Sequence, residues 1–219
     1  TLNPFHFARK GLYQSILYFS DAIEGQVLDV GCGQKPYQAL FPCDQYVGLE
    51  LDSTENRVNK QADYFYDGKV FPFEDASFDA IICNQVLEHV FEPSLFLREI
   101  SRCLRPGGKL LLSVPFVWDE HEKPQDFARY TSFGLKYLLA SFDLEIVEAQ
   151  KTLGNIQVIF QLLEAYIYKK FMEDKGRLQR GLTTFMIIFP LNCIGEIAGF
   201  VLPENEDLYL DNVVLAKKA

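Results

Sequence analysis

The sequence predicts an α/β fold in which an open, doubly wound sheet carries helices on both faces and a helical insertion precedes the last strand. Three observations predict it. The stretch Val27-Leu28-Asp29-Val30-Gly31-Cys32-Gly33 is a short, partly β-branched strand that runs into a glycine turn. Further short apolar stretches alternate with amphipathic ones along most of the chain, the pattern of a parallel sheet with crossover helices. Last, residues 155–202 form a long insertion between the final two strand-like stretches, strongly apolar over 182–202.

Taken in order, residues 7–23 make a helix with Leu12, Ile16, Leu17 and Phe19 on one face, so residues 1–24 are an N-terminal cap. The first strand is 26–30. Gly31 and Gly33 permit backbone angles closed to other residues and let a ligand lie against the main chain. In open α/β sheets, ligands bind beyond the carboxyl ends of the strands, where this turn sits. A dinucleotide fingerprint requires a third glycine three residues on; Pro36 stands there, which disfavours a nicotinamide oxidoreductase. Asp29 would also repel a pyrophosphate, whereas it tolerates a cationic ligand.

Pro36 to Leu40 is a short helix, and Tyr46 to Leu51 is the second strand. Glu50 lies roughly 20 residues past the glycines near that strand's carboxyl end, where a carboxylate can accept hydrogen bonds from both hydroxyls of a ribose. Asp52 is its rival. Residues 62–66 form the third strand and end in the Asp67-Gly68 turn; 80–83 form the fourth. A helix over 96–104 stops at Pro106-Gly107-Gly108, and 109–114 is the fifth strand. A helix capped by Thr131 or Ser132 runs to Ala140, followed by a sixth strand at 142–149 and a seventh at 209–216. Within the insertion, 156–171 is amphipathic. Residues 182–202 are long enough to span a bilayer but contain Pro190, Asn192 and Glu196, which is costly at mid-depth, so they are expected as buried helices.

The loop after the fifth strand, residues 116–131, is dense in functional groups. It holds the only tryptophan, Trp118. Imidazoles titrate near neutrality, so His121 can take a proton from an acceptor hydroxyl. Asp126 can orient His121 or act as the base itself. Arg129 can hold a carboxylate or phosphate in its fork, and Tyr130 can stack or donate. A structural reading stands beside this one: Asp126 and Arg129 as an ion pair, with Phe127 and Tyr130 in the core.

Composition narrows the function. The 219 residues carry a net charge of -9 with no Lys/Arg cluster, which argues against a nucleic-acid substrate. The five cysteines form no C-x-x-C pair and only three histidines are present, so no metal site is expected, and the odd, scattered cysteines suit a reducing cytoplasm.

Asp29-x-Gly31-x-Gly33 resembles motif I of the class I S-adenosylmethionine-dependent methyltransferases, and later motifs extend the resemblance to the type 11-like members. Phe71-Pro72-Phe73-x-Asp75-x-Ser77-Phe78-Asp79, Leu87-Glu88-His89-Val90 and the stretch Glu99 to Pro115 all follow that pattern in order. Gly31-Cys32-Gly33-x-x-Pro36-Tyr37 together with Pro124-x-Asp126-Phe127-x-Arg129-Tyr130-Thr131 is similar to a bacterial subgroup acting chiefly in cell-surface polysaccharide or lipid pathways. The resemblance implies a seven-stranded Rossmann-like sheet of order 3-2-1-4-5-7-6, its last strand antiparallel beside the fifth, in a single domain. It implies S-adenosyl-L-methionine as cofactor, held by Asp29, Gly31, Cys32, Gly33, Glu50, Leu51, Asp67, Gly68, Asn84 and Gln85, with Asp67 at the adenine amino group. His89 is read as lining or supporting the cleft.

The expected reaction is methyl transfer to a small-molecule or glycan- or lipid-linked acceptor. His121 and Asp126 are the candidate catalytic residues, and Trp118, Arg129 and Tyr130 the candidate acceptor-binding ones. The alternative is a catalytically silent methyltransferase-fold binding module. The insertion at 155–202 is a possible homodimer face, and contact with a membrane surface is the lesser reading.

Overall fold

The computed structural model describes residues 1–219. The elements run α1 (His6–Phe19), β1 (Gly25–Val30), β2 (Cys43–Leu51), α2 (Thr54–Asn59), β3 (Tyr64–Tyr66), β4 (Phe78–Asn84), α3 (Pro93–Cys103), β5 (Leu104–Pro115), α4 (Ser132–Ala140) and β6 (Leu144–Lys151). Then follow α5 (Gln157–Phe171), α6 (Arg177–Thr183), a π turn (Thr184–Ile188), α7 (Phe189–Val201) and β7 (Asp211–Lys218).

The strands form one mixed sheet of order β3-β2-β1-β4-β5-β7-β6, as the motifs imply. The pairs β1/β2, β1/β4, β2/β3 and β4/β5 are parallel. β7 runs the other way. Its first residue accepts from Thr152, just past the end of β6, and Ala219, just past its own end, donates to Asp143, just before β6 begins.

The chain makes two compact units. The larger, residues 15–116, 121–150 and 212–219, contains the sheet. Apolar residues of β1, β4 and β5 such as Leu28, Ile81 and Leu110 are fully buried, which fits strands covered on both faces. α3 turns Phe96, Leu97, Ile100 and Cys103 onto that core, an i, i+1, i+4, i+7 stripe.

Several boundaries differ from the expected ones. β5 begins at Leu104, directly after α3, and Arg105-Pro106-Gly107-Gly108 does not end the pairing but bulges out of it. Phe78 pairs with Leu104 and Ala80 with Lys109, and Gly107 takes φ +79 to close the bulge. The sixth strand starts two residues later than predicted because Phe142 still bonds to Leu139 and Asp143 takes a positive φ. Helix α1 stops at Phe19, and Ser20–Ala22 form a 3-10 turn.

The smaller unit comprises residues 1–14, 117–120 and 151–211, so the start of the expected cap and the expected insertion fold together. Gln161 on α5 ties them. It is fully buried, donates to the Pro4 carbonyl and accepts from the Ala8 amide, both at 2.9 Å. Phe7 fills the groove left by Gly195, where a Cβ would meet its ring at 2.6 Å.

One expectation is overturned here. Residues 182–202 are not buried helices. Residues 182–201 belong to one continuous helix, Arg177–Val201, whose apolar 18-residue window is only 17% buried. Apolar composition selects a helix that avoids water, but it does not say whether protein or something else covers it.

Candidate functional site

The site is built at the carboxyl ends of β1, β2 and β4, where the strand order reverses between β1 and β4. Val30 leads into Gly31 and Gly33 at φ +71 and +54, and the Gly31 amide donates to Leu49 on β2 at 2.8 Å, folding the turn over that strand. Gly48 makes room for this: a Cβ there would lie 2.7 Å from the Cys32 sulfur. A Cβ on Gly33, by contrast, would meet nothing within 4 Å, so the main chain there is open to a ligand.

Glu50 reaches into the turn. Its Oε1 accepts the Gly33 amide at 2.8 Å, and the residue is only 7% exposed. Asp52 instead turns outward into an ion pair with Arg57 at 2.6 Å, which separates the two rival acids. Asp29 is buried and accepts the Tyr46 hydroxyl at 2.6 Å. Burial pushes its carboxyl up to about 7, against the Tyr46 hydrogen bond and Lys35, with Glu50 adding to the rise. Burial and the neighbouring Asp29 and Glu50 also raise the Cys32 thiol to about 12, so it is inert as a nucleophile.

Asp67 shows its other character. Its Oδ1 accepts the Lys69 and Val70 amides, which makes it the acceptor of its own turn, and these bonds hold its carboxyl below the usual range. Gly68 (φ +85) closes the turn, and a Cβ there would touch Leu51, itself nearly half exposed. Asn84 and Gln85 leave β4 and are fixed by Ser113 of β5. The Ser113 hydroxyl donates to Asn84 at 2.5 Å and accepts the Gln85 amide at 3.2 Å, with Gln85 held at φ +55. Ser113 and Tyr46 were not singled out from the sequence; a serine inside an apolar strand was the available signal.

Beyond Gln85 comes the buried Glu88, then His89, whose ring meets the His121 ring edge-on with centroids 4.7 Å apart. The histidine of the loop after β5 is thus brought to the end of β4. His89 Nδ1 donates to the Gln125 carbonyl at 2.6 Å, leaving Nε2 as an acceptor in the neutral ring, 3.9 Å from Glu88 Oε1. One ligand atom each from Glu88, His89 and His121 lies within 4.8 Å of the others, a donor set able to take a divalent cation on modest closure. Sequence spacing missed this cluster because its third member is far along the chain.

Asp126 and Arg129 take up the ion pair that stood as the structural reading of this loop. They form a two-pronged ion pair, Nη1 to Oδ1 at 2.6 Å and Nη2 to Oδ2 at 2.8 Å, and Oδ2 also accepts the His121 amide at 2.9 Å. Arg129 and these bonds hold the Asp126 carboxyl well below the usual carboxylate range, so it is a poor general base. The Arg129 fork is likewise occupied and not offered to an acceptor. Tyr130 packs against the sheet core, and burial raises its phenol. Trp118 belongs to the smaller unit, where its ring lies 6.2 Å from Phe5.

Comparison with known proteins agrees with this geometry. The family model described as a methyltransferase domain matches residues 28–112. A ubiquinone biosynthesis O-methyltransferase of Xanthomonas oryzae pv. oryzae is 34% identical over 106 residues, 43% of this chain and 44% of that protein. The chain therefore spans less than half the length of this curated relative. Among solved structures, a putative methyltransferase of Bacillus halodurans superposes with TM-score 0.60 at 16% identity, covering 95% of this chain and 99% of that one. Phosphoethanolamine N-methyltransferase 2 of Haemonchus contortus, solved with S-adenosyl-L-methionine, gives TM-score 0.58 at 18% identity, over 95% and 52%. The open Gly33 turn and the inward Glu50 suit that cofactor, and Asp29 suits a cation beside it. Residues 28–112 thus match the methyltransferase-domain model, and the chain takes the fold of the solved methyltransferases.

Proposed function

We propose that this chain transfers a methyl group from S-adenosylmethionine to a hydroxyl of a small-molecule or lipid- or glycan-linked acceptor, with His121 as the general base. The observation that carries the reading is the meeting of His121 with His89 at the end of β4, one strand from the glycine turn. When bound, the cofactor supplies an activated sulfonium methyl, so the protein's task is mainly to position and desolvate.

Glu50 would hold the ribose hydroxyls through the oxygen not given to Gly33. Asp29, Gly31, Cys32 and Gly33 would cradle the remainder. Leu51, Asp67 and Gly68 would border the adenine, and Asn84 and Gln85 would line the approach to the acceptor. Asp126 acts as a positioning residue: it fixes the backbone of His121 and anchors Arg129. His121 receives the acceptor's proton as the oxygen attacks. Resemblance of the Gly31–Tyr37 and Pro124–Thr131 motifs to the bacterial cell-surface subgroup supports a glycan- or lipid-linked acceptor. All five cysteines are free, which supports a cytoplasmic location.

Calorimetric titration with S-adenosylmethionine, S-adenosylhomocysteine and NAD tests the cofactor half. Binding of both adenosyl ligands and not of NAD is expected; binding of none would leave a silent module. Replacing His121 with Ala tests the base. A fall in kcat of about a hundredfold is expected, with cofactor affinity unchanged. Equal loss of both would make His121 structural.

A further inference from the structure

The smaller unit carries a feature that the methyl-transfer site does not use. Along helix Arg177–Val201, the side chains of Leu178, Leu182, Phe185, Phe189, Ile197 and Phe200 recur at three-, four- or eight-residue steps and are exposed, Leu178 by 89% and Phe200 by 92%. Monomeric soluble proteins rarely leave such a stripe bare. The opposite face is committed to protein. Ile188 and Asn192 are fully buried, the Asn192 amide donates to the carbonyls of Thr1 and Asn3, and Glu196 pairs with His6 at 3.0 Å and Lys10 at 2.7 Å. The helix is therefore two-faced. It cannot cross a bilayer without taking His6, Lys10 and Glu196 to hydrocarbon depth, but it can lie along one.

Charge says which surface. At the amino-terminal end of the stripe, residues 170–180 carry Lys170, Lys175, Arg177 and Arg180 against Glu173 and Asp174, a local net charge of +2 in a chain of net charge -9. Beside them the smaller unit has a cavity of about 520 Å³, lined by Arg9, Arg180, Tyr168 and Asn3 together with apolar Phe5 and Met172. Neither Arg9 nor Arg180 forms an ion pair. Two unpaired guanidiniums and a phenol in a half-apolar pocket are suited to a phosphate with hydrocarbon attached.

We propose that helix Arg177–Val201 lies in the plane of an anionic membrane, its exposed stripe among the acyl chains, while Arg9 and Arg180 hold a lipid phosphate. The proposal stands whether or not the sheet-end site transfers methyl groups.

Co-sedimentation of the full chain with phosphatidylcholine vesicles, with and without phosphatidylglycerol, tests it. Binding to the anionic vesicles is expected, weakened at least tenfold in 0.5 M salt or in the Phe185→Asp/Phe200→Asp double variant. Arg9→Ala/Arg180→Ala should remove most of the preference for phosphatidylglycerol. Fluorescence of Trp118, which lies in the same unit as the substituted residues, serves as the folding control. Titration with inorganic phosphate alone should give no millimolar-or-better binding; tight phosphate binding would make the pocket a site for a soluble anion and overturn the lipid assignment. If the protein ignores both vesicles and is a dimer that Phe185→Asp/Phe200→Asp splits, a second copy covers the stripe and the proposal fails.

Discussion

The Glu50 carboxylate accepts the Gly33 amide at 2.8 Å, joining the end of β2 to the glycine turn after β1. One buried acid thereby fixes the turn, and on the proposed reading its second oxygen serves the ribose. Replacing Glu50 with Ala removes a charged acceptor, and hydrogen bonds of that kind are worth about 1.5–3 kcal/mol. S-adenosylmethionine affinity should fall ten- to a hundredfold by calorimetry. Glu50→Gln keeps an acceptor for Gly33 and should lose less. Wild-type affinity in both variants would remove Glu50 from the cofactor site.

Gly31 has two separate reasons to be glycine. Its φ is +71, and a Cβ would collide with Val86 Cγ2. Gly31→Ala should therefore weaken folding and cofactor binding together. Adding Val86→Ala relieves the collision but not the dihedral cost, about 1–2 kcal/mol. The double variant should recover part of the lost stability, measured by denaturant midpoint. Full recovery would mean the backbone angle costs nothing there, and no recovery that the collision is not real.

The ion pair of Asp126 and Arg129 separates a positioning role from a catalytic one. Asp126→Asn should lower stability by about 2 kcal/mol, because Arg129 loses its charged acceptor. If Asp126 only positions His121, the pH dependence of kcat keeps its midpoint in Asp126→Asn while its height falls. Disappearance of the titration in Asp126→Asn, with His121→Ala retaining it, would make Asp126 the base after all.

Much of the sheet end was legible in the sequence because its constraints are local. Glu50 was marked by its distance from Gly31 and Gly33, and the strand order was implied by the family resemblance that motifs along β1 to β5 carry. The loop from Trp118 to Tyr130 was not legible in the same way. Its residues were found and the Asp126–Arg129 pair was one of two readings, but the choice was open, since whether Asp126 faces His121, Arg129 or an acceptor depends on where the chain folds back. His121 reaches His89 from 32 positions away, so their meeting leaves no spacing to read. The apolar helix fails for a third reason. Phe185 and Phe200 have the same sequence character whether they face protein, lipid or a second copy.

The Glu88, His89 and His121 cluster offers a direct check on the base. His121 as a free base predicts that dialysis against a chelator leaves turnover unchanged. Loss of turnover, restored by a single divalent cation, would reassign His121 to a metal centre with Glu88 and His89.

Glu164 on α5 gives the smaller unit its own pH signature. Its side chain is fully buried with no hydrogen-bond partner for either oxygen, and burial pushes its carboxyl up to about 8 from an ordinary 4.5. Folding therefore keeps a proton that the unfolded chain releases in between. Glu164 costs nothing below about pH 4.5, destabilises progressively as pH rises toward 8, and costs a constant amount above that. The slope over that interval is at most about 1.4 kcal/mol per pH unit. Glu164→Gln removes the titration, so its stability advantage over the parent should grow from pH 5 to pH 7 and level off near pH 9. Guanidinium unfolding followed by fluorescence reads this unit, because the single tryptophan, Trp118, lies within it. An advantage of the same size at all three pH values would show that Glu164 titrates as an ordinary, hydrated carboxyl.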